Sequence, residues 1–236
     1  MKMCRLLYIK SNEFFDINYY LEKFAVICKN SKEYQGHGFG LAYLDEKNNY
    51  QYYKNIKPIW ENDFSYTKNK KTKILIAHAR SAFEDKDIII ENNMPFYDEN
   101  YVFIFNGELR GVRIKEQGRI GAEKIFNFIK RFDKKENQDS KKESMKKAME
   151  KAISLIKKRT DYIKALNIII ADKENAFVNN YFTTDEEYFC LRMKKEKKIN
   201  QDKPNEFNEK LIICSQEFED DNKEEWKKLD LGIYVF

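Results

Sequence analysis

The sequence contains no long hydrophobic run. No apolar stretch among its 236 residues approaches the roughly 20 residues that a helix needs to cross a bilayer. The chain opens with Met1-Lys2-Met3, then a short apolar run and then polar residues, which is not the pattern of a secretory signal peptide. We therefore expect no membrane association, and the cytoplasm is the default location.

Patterns typical of metal sites and disulfide frameworks are also missing. The cysteines show no C-x-x-C spacing and lie far apart, so neither a zinc site nor a set of disulfides is expected. They are Cys4, Cys28, Cys190 and Cys214. Either of the two histidines, His37 and His78, could serve a Ser-His-Asp site, but the sequence has no G-x-S-x-G motif. We expect no metal ion and no cofactor.

Charge of a single sign is not in excess. Charged residues make up 35% of the chain, yet the net charge is only +5, and Lys and Glu interleave at 134–136 and 194–198. A dedicated nucleic-acid-binding protein usually gathers basic residues on one face. These runs are more typical of a solvated surface, so no nucleic-acid partner is predicted. Hydrophobic residues at 42% and aromatic residues at 15% are sufficient for a substantial core.

The periodicity of apolar residues predicts an α+β protein. Helices are predicted at 19–28, 122–129 and 145–156. Strands are predicted at 4–9, 39–44, 50–53, 73–79, 101–105, 166–171, 176–182, 188–193, 211–214 and 232–236, with a polar loop at 194–208. This order lacks the regular alternation of a parallel sheet. It favours two mainly antiparallel sheets with helices packed outside them, in a single domain.

Cys4 directly follows a methionine near the start of the chain. A cysteine at a mature N-terminus combines a nucleophilic thiol with an α-amino group of pKa near ~8 that can accept the thiol proton. The alternative is a small hydrophobic residue that opens the first strand. Because Lys2 is too bulky for methionine aminopeptidases to trim Met1, we expect either a translation start at Met3 or self-cleavage of a leader at 1–3.

Two further motifs lie at or near predicted strands. The stretch 36–40, G-H-G-F-G, does not match G-x-G-x-x-G and is predicted to be a tight entry into a strand beside the nucleophile. His78-Ala79-Arg80 ends an apolar strand, so His78 and Arg80 are expected on the same face. Arg80 offers a planar fork suited to a carboxylate, or it could form a surface ion pair.

Asn106-Gly107 follows the strand predicted at 101–105. The side-chain amide of Asn106 and the backbone N–H of Gly107 can donate hydrogen bonds to the oxyanion of a tetrahedral intermediate, and a glycine leaves room for substrate. The alternative is a tight turn that leaves the strand, because Asn-Gly pairs commonly form turns.

An N-terminal Cys, H-x-R and N-G-E, in this order and spacing, resemble the class II glutamine amidotransferases, which are N-terminal nucleophile (Ntn) hydrolases. The resemblance covers nearly the whole chain and is strongest to the stand-alone glutaminase domains. It implies a four-layer α/β/β/α sandwich, an Ntn-hydrolase-like fold, as one domain over 4–236. It also implies that Cys4, Asn106 and Gly107 are catalytic and that Arg80 binds the substrate carboxylate. His78, on the same strand face as Arg80, is expected to be a second substrate-binding residue, with a structural role favoured over that of a base.

The same resemblance implies the reaction. Cys4 would attack a side-chain amide, form a thioester and release ammonia, and water would then release glutamate. The substrate is therefore expected to be a small-molecule amide. Because no acceptor domain follows in the sequence, an ammonia-accepting synthase would be a separate partner.

Three positions depart from the family pattern. Phe83 stands where a threonine is usual, and Met94 where many relatives have a histidine. Gly121 stands where a helix usually opens with the aspartate that pairs with the substrate α-amino group. The sequence thus predicts an amidohydrolase acting on glutamine or a related γ-glutamyl compound. The alternative is a catalytically inactive family member that serves as an interaction or regulatory protein.

Overall fold

The computed structural model describes residues 3–82, 86–133, 140–199, 207–219 and 225–236. In chain order the elements are β1 (Arg5–Asp16), α1 (Ile17–Lys29), β2 (Phe39–Leu44), β3 (Tyr50–Asn55), β4 (Lys71–Ala79), β5 (Phe96–Tyr97), β6 (Val102–Arg110), α2 (Gly121–Lys130), α3 (Lys141–Lys158), β7 (Tyr162–Ala171), β8 (Ala176–Asn180), α4 (Glu186–Phe189), β9 (Arg192–Ile199), β10 (Phe207–Cys214), β11 (Trp226–Lys228) and β12 (Gly232–Val235). Within the described ranges, no helix is long and apolar enough to span a membrane.

The chain divides into two compact units. The first comprises Met1–Pro95 and Cys190–Leu229, and the second comprises Phe96–Phe189 and Asp230–Phe236. In the described residues the first unit holds a seven-stranded sheet of order β11-β9-β10-β1-β4-β2-β3, and the second a five-stranded sheet of order β12-β8-β7-β6-β5. Every strand pairing described is antiparallel, as the order of predicted elements indicated.

In the first unit, α1 packs one apolar face against the sheet. Asp16 caps the N-terminus of the helix: its carboxylate accepts a hydrogen bond of 2.9 Å from the backbone N–H of Tyr19. Leu21 and Phe24 on its buried face share one core with Leu7 of β1. Full burial of such a side chain stabilises a fold by about 1.5–3 kcal/mol. This core therefore holds α1 against the sheet face that Leu7 shares, close to the start of β1.

In the second unit, α2 and α3 supply apolar faces of the predicted spacing. Ser140 caps α3 by accepting a hydrogen bond of 3.2 Å from the Glu143 N–H. Phe126 of α2 stacks on Phe103 of β6 with ring centroids 4.9 Å apart. The helices predicted at 19–28, 122–129 and 145–156 are thus confirmed as α1, α2 and α3.

The first strand is longer than predicted. It was expected to end at residue 9, but β1 continues to Asp16, with a shift of register between Lys10 and Phe15. The polar segment stays extended because Ser11 still pairs with β10, and Phe15 and Asp16 pair with β4 beyond the shift. Backbone hydrogen bonds between strands do not depend on the polarity of the side chains.

The region around residue 190 was predicted wrongly. The strand expected at 188–193 is the short helix α4 followed by β9, and the loop expected at 194–208 contains most of β9 and the start of β10; residues 200–206 lie outside the described residues. Cross-strand ion pairs stabilise this charged hairpin, such as Lys197 with Glu209 at 3.1 Å. Five consecutive charged residues, 194–198, make up most of β9, so the strand carries no apolar periodicity by which to recognise it.

Candidate active site

Cys4 lies immediately before β1, beside the end of β4. Arg5 pairs with Ala79, because the start of one strand meets the end of its antiparallel neighbour. The half-buried thiol therefore lies against the backbone of Ser81: the Ser81 N–H donates to Sγ at 3.5 Å, and the thiol donates to the Ser81 carbonyl at 3.8 Å. The sheet thus brings the H-x-R segment next to the predicted nucleophile.

The protonation state of Cys4 follows from its surroundings. Burial raises the pKa of the thiol from 9.0 to about 11, and the hydrogen bond from Ser81 and the charge of Arg80 offset only part of that rise. Cys4 is therefore a neutral thiol at pH 7. A thiol must lose its proton to be a good nucleophile, so this site requires a base.

Arg80 is buried, with only 6% of its surface exposed. Its Nη1 donates a hydrogen bond of 3.3 Å to Oδ1 of Asn93, and the Asn93 amide in turn donates to the carbonyl of Asn55 at 2.7 Å. Burial lowers the pKa of Arg80, but an arginine side chain stays charged at neutral pH. The alternative of a surface ion pair is wrong, because the side chain is not at the surface.

His78 is fully buried within β4. Its backbone neighbours are Leu6 of β1 and Gly40 of β2. Ala77 and Ala79 belong to the core that α1 covers, so His78 faces the other side of the sheet, as strand alternation predicted.

The glycine-rich stretch 36–40 holds the backbone of Arg80. The Arg80 N–H donates to the Gly38 carbonyl at 2.8 Å, and the His37 N–H donates back to the Arg80 carbonyl at 3.1 Å. His37 Nδ1 also accepts a hydrogen bond of 2.8 Å from the Ala82 N–H. Gly38 has a φ of 107°, and a Cβ there would lie 2.2 Å from the Asn93 amide nitrogen. The stretch is thus the tight entry into β2 that the sequence predicted.

Asn106 and Gly107 lie in the middle of β6, in the second unit. They pair with Asn167 and Leu166 of β7, so the alternative of a tight turn is wrong. A Cβ on Gly107 would lie 2.3 Å from the carbonyl oxygen of Ala165, so packing within the sheet already requires a glycine here.

The side chain of Asn106 is fully buried, yet neither its Nδ2 nor its Oδ1 has a hydrogen-bond partner in the described part of the chain. Leaving a buried amide unsatisfied costs about 1–3 kcal/mol. Asn167, directly opposite, is also buried, but it donates to the Phe189 carbonyl at 2.6 Å and accepts from the Tyr181 N–H at 2.9 Å. Asn106 is therefore the one of the two whose amide is suited to receive a ligand.

Three residues that sequence reasoning left out contribute to these surroundings. Ser81 contacts Cys4 and carried no signal in the sequence, whereas Asn93 contacts Arg80 and stands next to Met94, in a stretch compared with the family pattern. Glu108 did carry a signal, as the third residue of N-G-E. It lies two residues beyond Asn106 and so on the same face of β6, with its side chain 10% exposed and bound by Arg110 at 2.5 Å.

The positions that depart from the expected pattern have different surroundings. Phe83 lies outside the described residues. Met94 is buried, and its carbonyl oxygen lies 2.4 Å from the place that a Cβ on Gly40 would occupy. Gly121 opens α2 at an exposed position, where no described atom lies within 4 Å of a would-be Cβ. An aspartate would therefore fit at 121 without a clash.

Residues 3–236 match the model of the class II glutamine amidotransferases. The chain belongs to this family. The resemblance seen in the Cys, H-x-R and N-G-E motifs is thereby confirmed, and membership of the class II glutamine amidotransferases supports hydrolysis of the glutamine amide as the general chemistry. A comparison with curated proteins finds no match.

Solved structures share the fold at low sequence identity. A predicted glutamine amidotransferase from Pseudomonas aeruginosa has a TM-score of 0.58 and 14% identity, with 100% of this chain and 97% of that chain covered. A glutamine aminotransferase class-II domain protein from Silicibacter pomeroyi has a TM-score of 0.58 and 11% identity, with coverage of 98% and 94%.

The glutamine phosphoribosylpyrophosphate amidotransferase of B. subtilis, solved with ADP and GMP, has a TM-score of 0.56 and 15% identity. The match covers 90% of this chain but only 42% of that enzyme's chain. At such identities the likeness shows the fold, and it confirms the predicted α+β class with two antiparallel sheets. Among the side chains that the structure describes, no group of three or more His, Cys, Asp or Glu residues is arranged to hold a metal ion.

Proposed function

We propose that this chain hydrolyses the side-chain amide of glutamine, or of a related γ-glutamyl compound, through a thioester on Cys4. Family membership supports amide hydrolysis in general. The observation that carries the assignment of residues is the buried Asn106 amide, which has no partner among the described residues. An amide that folding leaves unsatisfied at this cost is suited to a ligand oxygen.

In the first step, the Cys4 sulfur attacks the amide carbon and a C–S bond forms. Because the thiol is neutral at pH 7, its proton must pass to a base, and the α-amino group of a chain that begins at Cys4 can accept it. The carbonyl oxygen becomes an oxyanion. The Asn106 side chain and the Gly107 N–H would donate to it, and each such donor lowers the barrier by about 3 kcal/mol.

In the second step, the C–N bond breaks and the leaving nitrogen takes the proton from the α-ammonium group, so that ammonia departs and the thioester remains. Water then attacks the thioester carbon. The C–S bond breaks, the carboxylic acid leaves and the Cys4 thiol is restored, so the reaction consumes one water and releases one ammonia.

Arg80 is the proposed ligand of the substrate α-carboxylate. Its guanidinium is buried, and the Asn93 amide holds one of its nitrogens, which prepares a planar cationic fork for a carboxylate. His78 lies two residues before Arg80, near the end of β4, and is the second residue proposed to bind the substrate. Gly121, at the start of α2, offers no carboxylate to a substrate ammonium group. On β6, the acidic residue on the same face as Asn106 is Glu108.

The proposal includes a partner. Hydrolysis of an amide releases ammonia, and the domain proposed over 4–236 would deliver it to a separate ammonia-accepting synthase. The B. subtilis amidotransferase has a chain more than twice as long as the part that this chain matches.

The rival function is a catalytically inactive family member that serves as an interaction or regulatory protein. The absence of an acidic residue at Gly121, together with Met94 in place of histidine, favours this rival. The two functions differ in whether Cys4 reacts, because an interaction protein has no need of an accessible nucleophile.

Intact-mass measurement before and after treatment with an electrophilic glutamine analogue, a diazoketone, tests the proposal. We expect a mature chain that begins at Cys4 and gains one adduct, and no adduct on Cys4→Ala. The other three cysteines are buried and serve as an internal control. An unlabelled wild-type protein, or an active protein that retains Met1, would contradict the proposal.

A further inference from the structure

A buried glutamine holds the peptide group that precedes Cys4. Gln35, in the loop between α1 and β2, is fully buried, and its Nε2 donates a hydrogen bond of 2.5 Å to the carbonyl oxygen of Met3. The oxygen and nitrogen of one peptide group are about 2.3 Å apart. The Gln35 amide nitrogen therefore lies no more than about 5 Å from the Cys4 nitrogen, by adding that span to the 2.5 Å bond.

Hydrogen bonds hold the loop of Gln35 to residues that precede and follow Cys4 in the chain. Its Nε2 also donates to the Glu33 carbonyl at 2.9 Å and lies 3.4 Å from the Ser31 hydroxyl. The same hydroxyl accepts a hydrogen bond of 3.2 Å from Nε of Arg5, the residue after Cys4. The guanidinium of Arg5 is buried and donates to the carbonyl of Ser215 at 3.2 Å. One short loop is thus bonded to the residue before Cys4 and to the residue after it.

We infer that Gln35 is a positioning residue that binds the α-amino group of Cys4, through a water at the place of the Met3 carbonyl oxygen, in the form of the chain that begins at Cys4. This inference rests on the proposed function, in which that amine is the base. It concerns the placement and protonation of the amine, not contact with the substrate.

The chemical type of residue 35 suits this role. The amine must be unprotonated to take the thiol proton, and an amide can orient it by hydrogen bonds without adding a negative charge. A carboxylate at the same place would favour the protonated amine. Among the described residues, the charge of Arg80 acts on Cys4, and Cys28 on α1 interacts electrostatically with both Cys4 and Arg5. The two arginines disfavour a second positive charge.

The pH dependence of hydrolysis tests the inference. We would measure kcat/KM against pH for the wild type, Gln35→Glu and the control Gln117→Glu, with L-glutamine and a chromogenic γ-glutamyl anilide as substrates. Gln117 is exposed, so the control makes the same substitution away from the amine. A carboxylate within about 4–6 Å raises the pKa of an amine by roughly 1–3 units, so the acidic limb of the Gln35→Glu profile should move up by about one unit or more.

Each other outcome has a defined meaning. A residue with only a structural role would lower the plateau of the profile without moving its acidic limb, so an unmoved limb in an active Gln35→Glu enzyme overturns the inference. If circular dichroism shows that Gln35→Glu does not fold, the neutral variant Gln35→Met decides: we expect kcat/KM at neutral pH to fall at least tenfold in a folded protein, and a wild-type value overturns the inference.

The same experiment separates this inference from the proposed function. A wild-type protein that neither hydrolyses the substrates nor gains an adduct at Cys4 overturns both. An active wild-type protein whose acidic limb is the same in Gln35→Glu overturns only the role of Gln35.

Discussion

The surroundings of Cys4 in the first unit and of Asn106 in the second differ in how their polar groups are satisfied. Around Cys4, the thiol is bonded to the Ser81 backbone and Arg80 to Asn93, although the Ser81 hydroxyl has no hydrogen-bond partner among the described residues. Asn106 is fully buried, and neither polar atom of its amide has a partner in the described residues. The proposed nucleophile is thus held by hydrogen bonds within the protein, whereas the whole Asn106 amide is left for the ligand that we propose.

Asn106 and Asn167, which pair on adjacent strands, show the same contrast between an unsatisfied and a satisfied side chain. Both are fully buried and face each other on β6 and β7. Asn167 bonds two backbone groups, so its amide stabilises the fold. The Asn106 amide bonds none of the described groups, so its burial costs stability, as expected of an amide that binds the proposed ligand.

The largest effect is expected at Cys4. Cys4→Ala should abolish hydrolysis, because no thioester can form, and should leave the melting temperature nearly unchanged, since the hydrogen bonds described for Sγ are two weak ones to the backbone of Ser81. A glutaminase assay and a thermal melt measure both. The control Cys190→Ala removes a buried thiol outside the proposed site and should keep full activity. Hydrolysis by Cys4→Ala at the wild-type rate would remove Cys4 from the mechanism.

The second prediction separates the two asparagines. Asn106→Ala should slow hydrolysis by about 10²–10³, through the lost oxyanion donor, without loss of stability. Asn167→Ala should lose about 1–3 kcal/mol of unfolding free energy, because two backbone groups are left unpaired. Rates and urea unfolding of both variants measure the contrast. A destabilised Asn106→Ala with an unchanged rate would reverse the interpretation.

A smaller effect is expected at Arg80. Arg80→Lys keeps the charge but loses the planar fork, so KM for substrates with a free α-carboxylate should rise about tenfold, equivalent to roughly 1.4 kcal/mol. Amides that lack this carboxylate should be unaffected. The exposed substitution Arg159→Lys is a matched control. An unchanged KM would make Arg80 a structural residue.

The smallest effect is expected at Gly121. Gly121→Asp should raise kcat/KM for glutamine a few-fold, because a carboxylate would again face the α-ammonium group, and the gain should stay small because Phe83 and Met94 also depart from the family pattern. An aspartate in the first turn of a helix should add about 0.3–1 kcal/mol of stability. Strong glutaminase activity in the wild type, undiminished relative to other amides, would show that the α-amino group is bound by another route.

Much of the fold was predictable because its signals are local. The three longer helices follow from apolar spacing, and the hairpin of β2 and β3 was predicted almost to the residue. The failures share one cause. The extension of β1 and the whole of β9 depend on hydrogen bonds and ion pairs with neighbouring strands, which leave no apolar pattern in the segment itself.

By itself, the sequence determined the family, because the order and spacing of Cys4, H-x-R and N-G-E survive in a chain of low identity to its solved relatives. Only the tertiary structure decided what surrounds these motifs. Ser81 and Gln35 became neighbours of Cys4 through contacts between segments distant in the chain, and pairing with β7 made Asn106 a mid-strand residue rather than part of a turn. The physical reason is that whether a buried polar group is satisfied depends on partners that only the folded chain brings to it.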